Sequence, residues 1–271
     1  MSNQNKAEKK KQDAFPWSRT TYHVTYNAML VEYKIKSCLE NSKGDSLIDL
    51  ACGDGLMTRS FAEHFKCVVG VDASAKHLAE AKKRCPEVTF HESLIEDLDI
   101  NEKFDSVFML DVLEHVIDPI CLLRKASDLM NDDGVMVIHV PNARAINRKI
   151  AVLMGTLETC EELSPFDLSI AGHRRSYKLS TLVADIEKAG LKVRKTGGIF
   201  YKMLSTAQMD WFLENGLWKG NQFGWGRVGG EEKDWRSEFG RACYEIGNER
   251  PDDCNIIYAV VTKNSRGYDD K

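Results

Sequence analysis

The segment Asp49-Leu50-Ala51-Cys52-Gly53-Asp54-Gly55 follows the apolar pair Leu47-Ile48 and sets two glycines one residue apart just after a strand of buried type. Glycines there let a ligand lie against the backbone. A dinucleotide asks for a third glycine, where close helix packing needs it, but position 58 is Thr. A Walker loop asks for Gly-Lys-Ser/Thr, and none follows. Asp49 and Asp54 oppose a polyphosphate and favour a cation. Asp72, closing VVGVD, lies 17 positions beyond Gly55, where a carboxylate accepts hydrogen bonds from two ribose hydroxyls. A nucleoside that lacks pyrophosphate and carries positive charge is S-adenosylmethionine.

Groups able to move protons or hold anions recur further along. His115 follows the apolar run 104–110, and Gly172-His173-Arg174-Arg175-Ser176-Tyr177-Lys178 sets a histidine beside two arginines and a tyrosine. Histidine titrates near neutral pH, so His115 and His173 are the catalytic candidates. Arginine forks suit carboxylate or phosphate, which makes Arg174, Arg175 and Tyr177 candidates for acceptor binding. Lys202 and Gln208, in FYKMLSTAQMD, are acceptor candidates too. Tyr22 and Tyr26 lie among apolar residues at helical spacing, and aromatic rings tolerate a sulfonium.

The elements that must position these groups follow from periodicity. Short apolar runs alternate with stretches of helical period from 46 to 140, the signature of a parallel sheet wrapped by helices. Strands are expected at 46–50, 67–71, 87–90, 104–110 and 134–140, with helices at 56–65, 75–83 and 119–131. Asn131-Asp132-Asp133-Gly134 reads as a turn after the last helix. A helix over 20–39 is expected to cross the ligand edge of the sheet. A helix at 179–189 and strands at 191–196 and 255–262 complete the order. Two stretches, 143–178 and 200–253, break the alternation. Ligands of open α/β sheets sit beyond the carboxyl ends of the strands, so these insertions are candidates for a helical acceptor cap. Trp211, Trp218, Trp225 and Trp235 fall in the second insertion and read as the core of that cap. Residues 1–18 read as a disordered tail, and 19–271 as one domain.

In this order, the motifs resemble those of the class I S-adenosylmethionine-dependent methyltransferases, small-molecule branch. DLACGDG is similar to the first family motif, with Ala51 where glycine is commoner, and VVGVDAS to the second. FDSVFMLDVLEHVIDP is similar to the fourth, and DDGVMVIHVPN to the fifth strand. The resemblance implies a Rossmann-like, mostly parallel seven-stranded α/β sheet with helices on both faces. It implies cofactor contacts from Asp49, Ala51, Gly53, Gly55, Asp72, Ala73 and Leu110, and an acceptor contact from Asn142. Family members often carry an Asp after the third strand for the adenine amine, whereas VTFHESLIEDL has Ser93 and Leu94 there. Backbone groups of Leu94 and Ile95 are expected to hold the adenine instead. The run from HVPN through HRRSYK to ERPDDCNIIYAVV resembles methyltransferases of surface-polysaccharide and secondary-metabolite pathways, which implies a small polar acceptor.

In-line methyl transfer asks for alignment and exclusion of water, and no metal is expected. An ionised acceptor needs only positioning; an alcohol or phenol needs a base. O-methylation is preferred to N- or C-methylation. The balance of 37 basic and 41 acidic side chains, net −4, with no basic stripe, argues against a nucleic-acid partner. Eight cysteines without a CxxC pair or zinc spacing read as reduced, buried thiols of a cytoplasmic protein. No secretory-type segment opens the chain, and no apolar run approaches membrane-spanning length. The rivals are a cofactor-binding scaffold or partner subunit that has lost transfer, a small-molecule N-methyltransferase, and an NAD-dependent oxidoreductase.

Overall fold

The computed structural model describes residues 7–10, 25–216 and 234–264. Seven strands make one sheet: β1 (Ser46–Leu50), β2 (Cys67–Asp72), β3 (Thr89–Glu92), β4 (Phe104–Leu110), β5 (Met130–Pro141), β6 (Leu191–Ile199) and β7 (Ile256–Lys263). Their order is β3-β2-β1-β4-β5-β7-β6, with β7 antiparallel to both neighbours and the remaining pairs parallel. The helices are α1 (Thr25–Glu40), α2 (Leu56–Ala62), α3 (Ala75–Arg84), α4 (Pro119–Asp128), α5 (Ile146–Leu153), α6 (Leu179–Lys188), α7 (Thr206–Asn215) and α8 (Trp235–Glu249).

The central strands are apolar on both faces because both are covered. Ile48, Leu50, Val107, Met109, Met136 and Ile138 pack with Leu122 and Leu123 of α4 and Leu182 and Ile186 of α6. The alternate residues Leu47, Phe108, Leu110 and Val137 pack with Phe61 of α2 and Cys38 of α1. Strand order reverses between β1 and β4, which leaves a crevice at their carboxyl ends. The helices that frame it start on sequence signals. Ser74 accepts from the His77 N–H to cap α3. Asp118 accepts from the Ile120 and Cys121 N–H groups to cap α4, with Pro119 at its first position.

Three expectations need correction. Residues 131–134 are part of β5, not a turn closing α4; the pairing to β4 shifts register there. Gly134 permits this, since a Cβ on it would stand 3.0 Å from the Phe104 carbonyl oxygen of β4. The described part of the second insertion has no core of its own but shares one with the N-terminal helix and the sheet. Tyr26 and Tyr33 of α1, Met209 and Leu213 of α7 and Cys243 and Tyr244 of α8 share a core with Ile199, Phe200, Tyr258 and Val260. Trp211 is not in it, being 67% exposed, while Trp218 and Trp225 lie outside the described residues. Of the expected tail, residues 7–10 form a helical turn whose Glu8 pairs with Arg174. No helix among the described residues is long and apolar enough to cross a membrane.

Candidate active site

A cavity of about 950 Å³ opens beyond the carboxyl ends of β1, β2 and β4 and reaches residues of both insertions. One end is built from backbone. After β1 the chain turns through left-handed conformations at Ala51 (φ 61°), Gly53 (φ 58°) and Gly55 (φ 75°). The Gly53 N–H donates to Asp72 Oδ2 at 2.9 Å, and the Ser74 N–H donates to Asp72 Oδ1 at 2.8 Å. A carboxylate has about four acceptor positions, so both oxygens keep room for a ribose diol. A Cβ on Gly53 would meet nothing within 4 Å, which leaves that backbone bare. Ala73, Leu94, Ile95 and Leu110 add apolar wall, and Asp54 and Glu96 add acid. These residues fit a positively charged nucleoside without pyrophosphate.

Two expected cofactor residues act from beneath. Asp49 is 2% exposed and accepts from the Thr58 hydroxyl at 2.7 Å, tying α2 to β1. Gly55 opens α2, and a Cβ there would stand 3.1 Å from Ala81 of α3. It lets helix and loop pack closely.

The other end is built from side chains brought from distant segments. Lys34 of α1 is ion-paired with Asp111, which leaves β4 at φ 57°. Glu114 is 1% exposed, and neither of its carboxylate oxygens has a hydrogen-bond partner among the described residues. Burial, and then the charge of Asp111, push its carboxyl well above the usual range. His115 and His173 meet edge to face with ring centroids 4.9 Å apart. His115 Nε2 lies 3.7 Å from Glu114 Oε1, and its Nδ1 lies 3.4 Å from the Gly172 carbonyl. His173 Nδ1 lies 3.5 Å from Asp167 Oδ1. Burial raises the Asp167 pKa, but hydrogen bonds from His173 and Ser164 and the charge of Arg148 outweigh it and hold this carboxyl well below its ordinary range.

Arg174 and Arg175 lace these two segments together. Arg174 donates from its backbone N–H to the Glu114 carbonyl and from Nε to the His115 carbonyl, both at 2.8 Å. Arg175 donates to the carbonyls of Leu113, Val116 and Ile117 at 2.7, 2.6 and 2.9 Å. The Arg175 fork holds backbone carbonyls, while Arg174 Nη2 donates to Glu8 Oε2 at 2.7 Å.

Lys202 is 7% exposed, with Nζ 2.8 Å from the Thr206 hydroxyl and 4.8 Å from the Tyr26 ring centre. Burial pulls its pKa down to about 8, against the opposing charge of Asp210. Tyr26 does not line the cavity; it supports Lys202 from behind and stands edge-on to Phe200 at 5.4 Å. Tyr177 and Asn142 form wall, the tyrosine hydroxyl donating to Asp185 at 3.0 Å and the amide to the Cys254 carbonyl at 2.9 Å. Gln208 is exposed and closes the capping box of α7. Tyr22 lies outside the described residues. Sequence reasoning missed Lys34, Asp111, Glu114 and Asp167. The carboxylates of LEHV and of the strand end before it were a signal; a lysine on a helix gave none.

A family model described as a methyltransferase domain matches residues 26–196. A protein named ubiquinone biosynthesis O-methyltransferase, from Rhodopseudomonas palustris strain TIE-1, is 34% identical over 113 residues, or 40% of this chain and 44% of that one. The chain thus matches under half the length of that relative. An S-adenosylmethionine-dependent methyltransferase from Clostridium acetobutylicum shares the fold with a TM-score of 0.53 at 16% identity, covering 91% of this chain and 95% of that chain. The N-methyltransferase NodS from Bradyrhizobium japonicum WM9, solved with S-adenosyl-L-homocysteine, gives 0.55 at 10% identity, covering 97% and 100%.

Proposed function

Because the chain belongs to the methyltransferase domain family, the class I S-adenosylmethionine-dependent methyltransferases, we propose that it methylates an oxygen of a small polar or anionic acceptor by in-line displacement. The observation that carries this reading is one continuous cavity. It joins the bare glycine loop and Asp72 at one end to Glu114, His115, His173 and Lys202 at the other. S-adenosylmethionine supplies a methyl carbon on a sulfonium and leaves as S-adenosylhomocysteine.

The residues of this chain then divide the remaining work. Asp72 and the loop at 51–55 orient the donor, with Ala73 and Leu110 as wall and the backbone of Leu94 and Ile95 beside the base. His115 and His173 activate the acceptor, and Lys202 sets its orientation. Arg174 and Arg175 keep the two histidines at a fixed separation, and Asn142 and Tyr177 shape the wall. The domain runs from 19 to 271, with Asp167 and His173 of the first insertion and Lys202, Thr206 and Asp210 of the second lining the acceptor end and shutting out water. Eight free cysteines suit a reducing compartment, the cytoplasm. The name of the relative, an O-methyltransferase, supports O-methylation.

Parallel calorimetric titrations with S-adenosylhomocysteine and NAD test the donor. We expect heat from the first and none from the second; the reverse would make the protein an oxidoreductase. A panel of phenols, alcohols, carboxylates, sugar phosphates and amines, read by mass spectrometry for a gained methyl group, tests the acceptor. Methylation of amines alone would overturn the O-methyl assignment. Donor binding without turnover on any acceptor would support a scaffold instead.

A further inference from the structure

We propose that Glu114, His115 and His173 form a site for one divalent transition-metal ion at the acceptor end of the cavity. One ligand atom from each lies within 4.8 Å of the others. Ligands bonded to one ion at about 2.0–2.2 Å stand roughly 3–4.3 Å apart. The 3.7 Å between Glu114 Oε1 and His115 Nε2 is already in that range. Rotation of the side chains closes the rest.

Two further observations point to a ligand. Glu114 is 1% exposed with both oxygens lacking a hydrogen-bond partner among the described residues. A buried carboxylate in that state is costly, and a cation beside it removes the cost. Both histidines have Nδ1 set against an oxygen, the Gly172 carbonyl at 3.4 Å and Asp167 Oδ1 at 3.5 Å. Histidines that bind metal through one nitrogen are held at the other in this way, which fixes tautomer and ring orientation. Asp167 is itself fixed by Ser164 at 2.8 Å and Arg148 at 3.1 Å.

One carboxylate and two imidazoles favour manganese, iron, cobalt or zinc over calcium, which prefers oxygen alone. Three protein ligands leave coordination positions open for an acceptor oxygen. The ion's role rests on the methyl-transfer reading: a coordinated hydroxyl gives its proton to water more easily and presents a better nucleophile. The existence of the site does not rest on it.

The full chain, stripped with a chelator, is titrated with Mn²⁺ and followed by electron paramagnetic resonance, and with Co²⁺ by visible absorption. We expect one equivalent of each to bind. Affinity should fall by about 10- to 100-fold in Asp167→Asn, which removes support for one ligand, and further in His173→Ala and Glu114→Gln. S-adenosylhomocysteine affinity should stay within about twofold in all three, which also reports folding. Absence of stoichiometric binding in the wild type, or wild-type Mn²⁺ affinity in His173→Ala, overturns the proposal. Mn²⁺ binding in a protein that ignores S-adenosylhomocysteine would retain the site and discard the methyl-transfer reading.

Discussion

The two ends of the cavity are made differently. At the donor end the recognising surface is main chain: three left-handed residues within five positions, with Asp72 gripping the Gly53 and Ser74 N–H groups. At the acceptor end it is side chains from α1, the segments after β4 and β6, and the first insertion. Backbone conformation is dictated locally, so the donor end is specified by its own short segment. Side-chain convergence depends on packing between segments, as between 113–117 and 172–175 through Arg174 and Arg175. Such an end can change its chemistry through a few substitutions while the donor loop stays as it is.

A single substitution in the glycine loop should break the donor end most severely. Gly55→Val puts a β-branched residue at φ 75° with its Cβ 3.1 Å from Ala81. Left-handed strain and overpacking together amount to about 2–5 kcal/mol. We expect a matching loss of stability in urea and no measurable heat with S-adenosylhomocysteine; wild-type affinity in a folded variant would refute the loop's role. Asp72→Ala comes next. Its bonds to charged carboxylate are worth about 1.5–3 kcal/mol each, so S-adenosylhomocysteine affinity should fall about 100-fold, or roughly 2.7 kcal/mol. Unchanged affinity by calorimetry would move the ribose elsewhere.

The same contrast explains what could be read from the sequence. The alternation of Ile48, Leu50 and Val107, Met109 against Leu47 and Phe108 shows in the apolar pattern, and so the sheet was legible. The backbone turn at 51–55 was legible because glycine spacing encodes conformation directly. Tyr26 and Gln208 stand off the cavity for one reason. Their types are compatible with a site, but burial beside Phe200 and a helix cap at Ser205 took them. Lys34 and Asp111 are 77 residues apart, and no local pattern announces that they meet.

Lys202 sharpens the comparison by making the acceptor end depend on pH. Its pKa is about 8 in the fold, against 10.5 for a free lysine, because burial disfavours the charged form. Between those values the unfolded chain holds a proton that the folded one has released, so stability rises with pH across that window. Below it, the full deficit is present, at most about 3–4 kcal/mol at roughly 1.4 per unit. Lys202→Met should therefore be more stable than wild type at pH 7, with the gap closing as pH climbs towards 10.5. Urea unfolding of both proteins across that range checks this. A gap independent of pH would mean that Lys202 keeps its charge, and a Met variant with normal acceptor KM would remove it from the site.

The smallest effect separates a helix cap from an acceptor contact. Gln208 Oε1 accepts from the Ser205 N–H at 3.0 Å, and Ser205 Oγ accepts from the Gln208 N–H at 3.4 Å. This reciprocal pair satisfies two donors at the start of α7, the helix that carries Thr206 and Asp210 towards Lys202. Gln208→Ala removes one half of it at an exposed position, which should lower stability by about 0.5–1 kcal/mol. The Ser205 hydroxyl remains, so the helix start should stay in place and Lys202 should keep its partner. Acceptor KM and turnover should then match wild type, while melting shifts down by about 1–4 °C. A raised KM at unchanged stability would reverse both conclusions, returning Gln208 to the acceptor and extending the side-chain end of the cavity beyond α7's inner face.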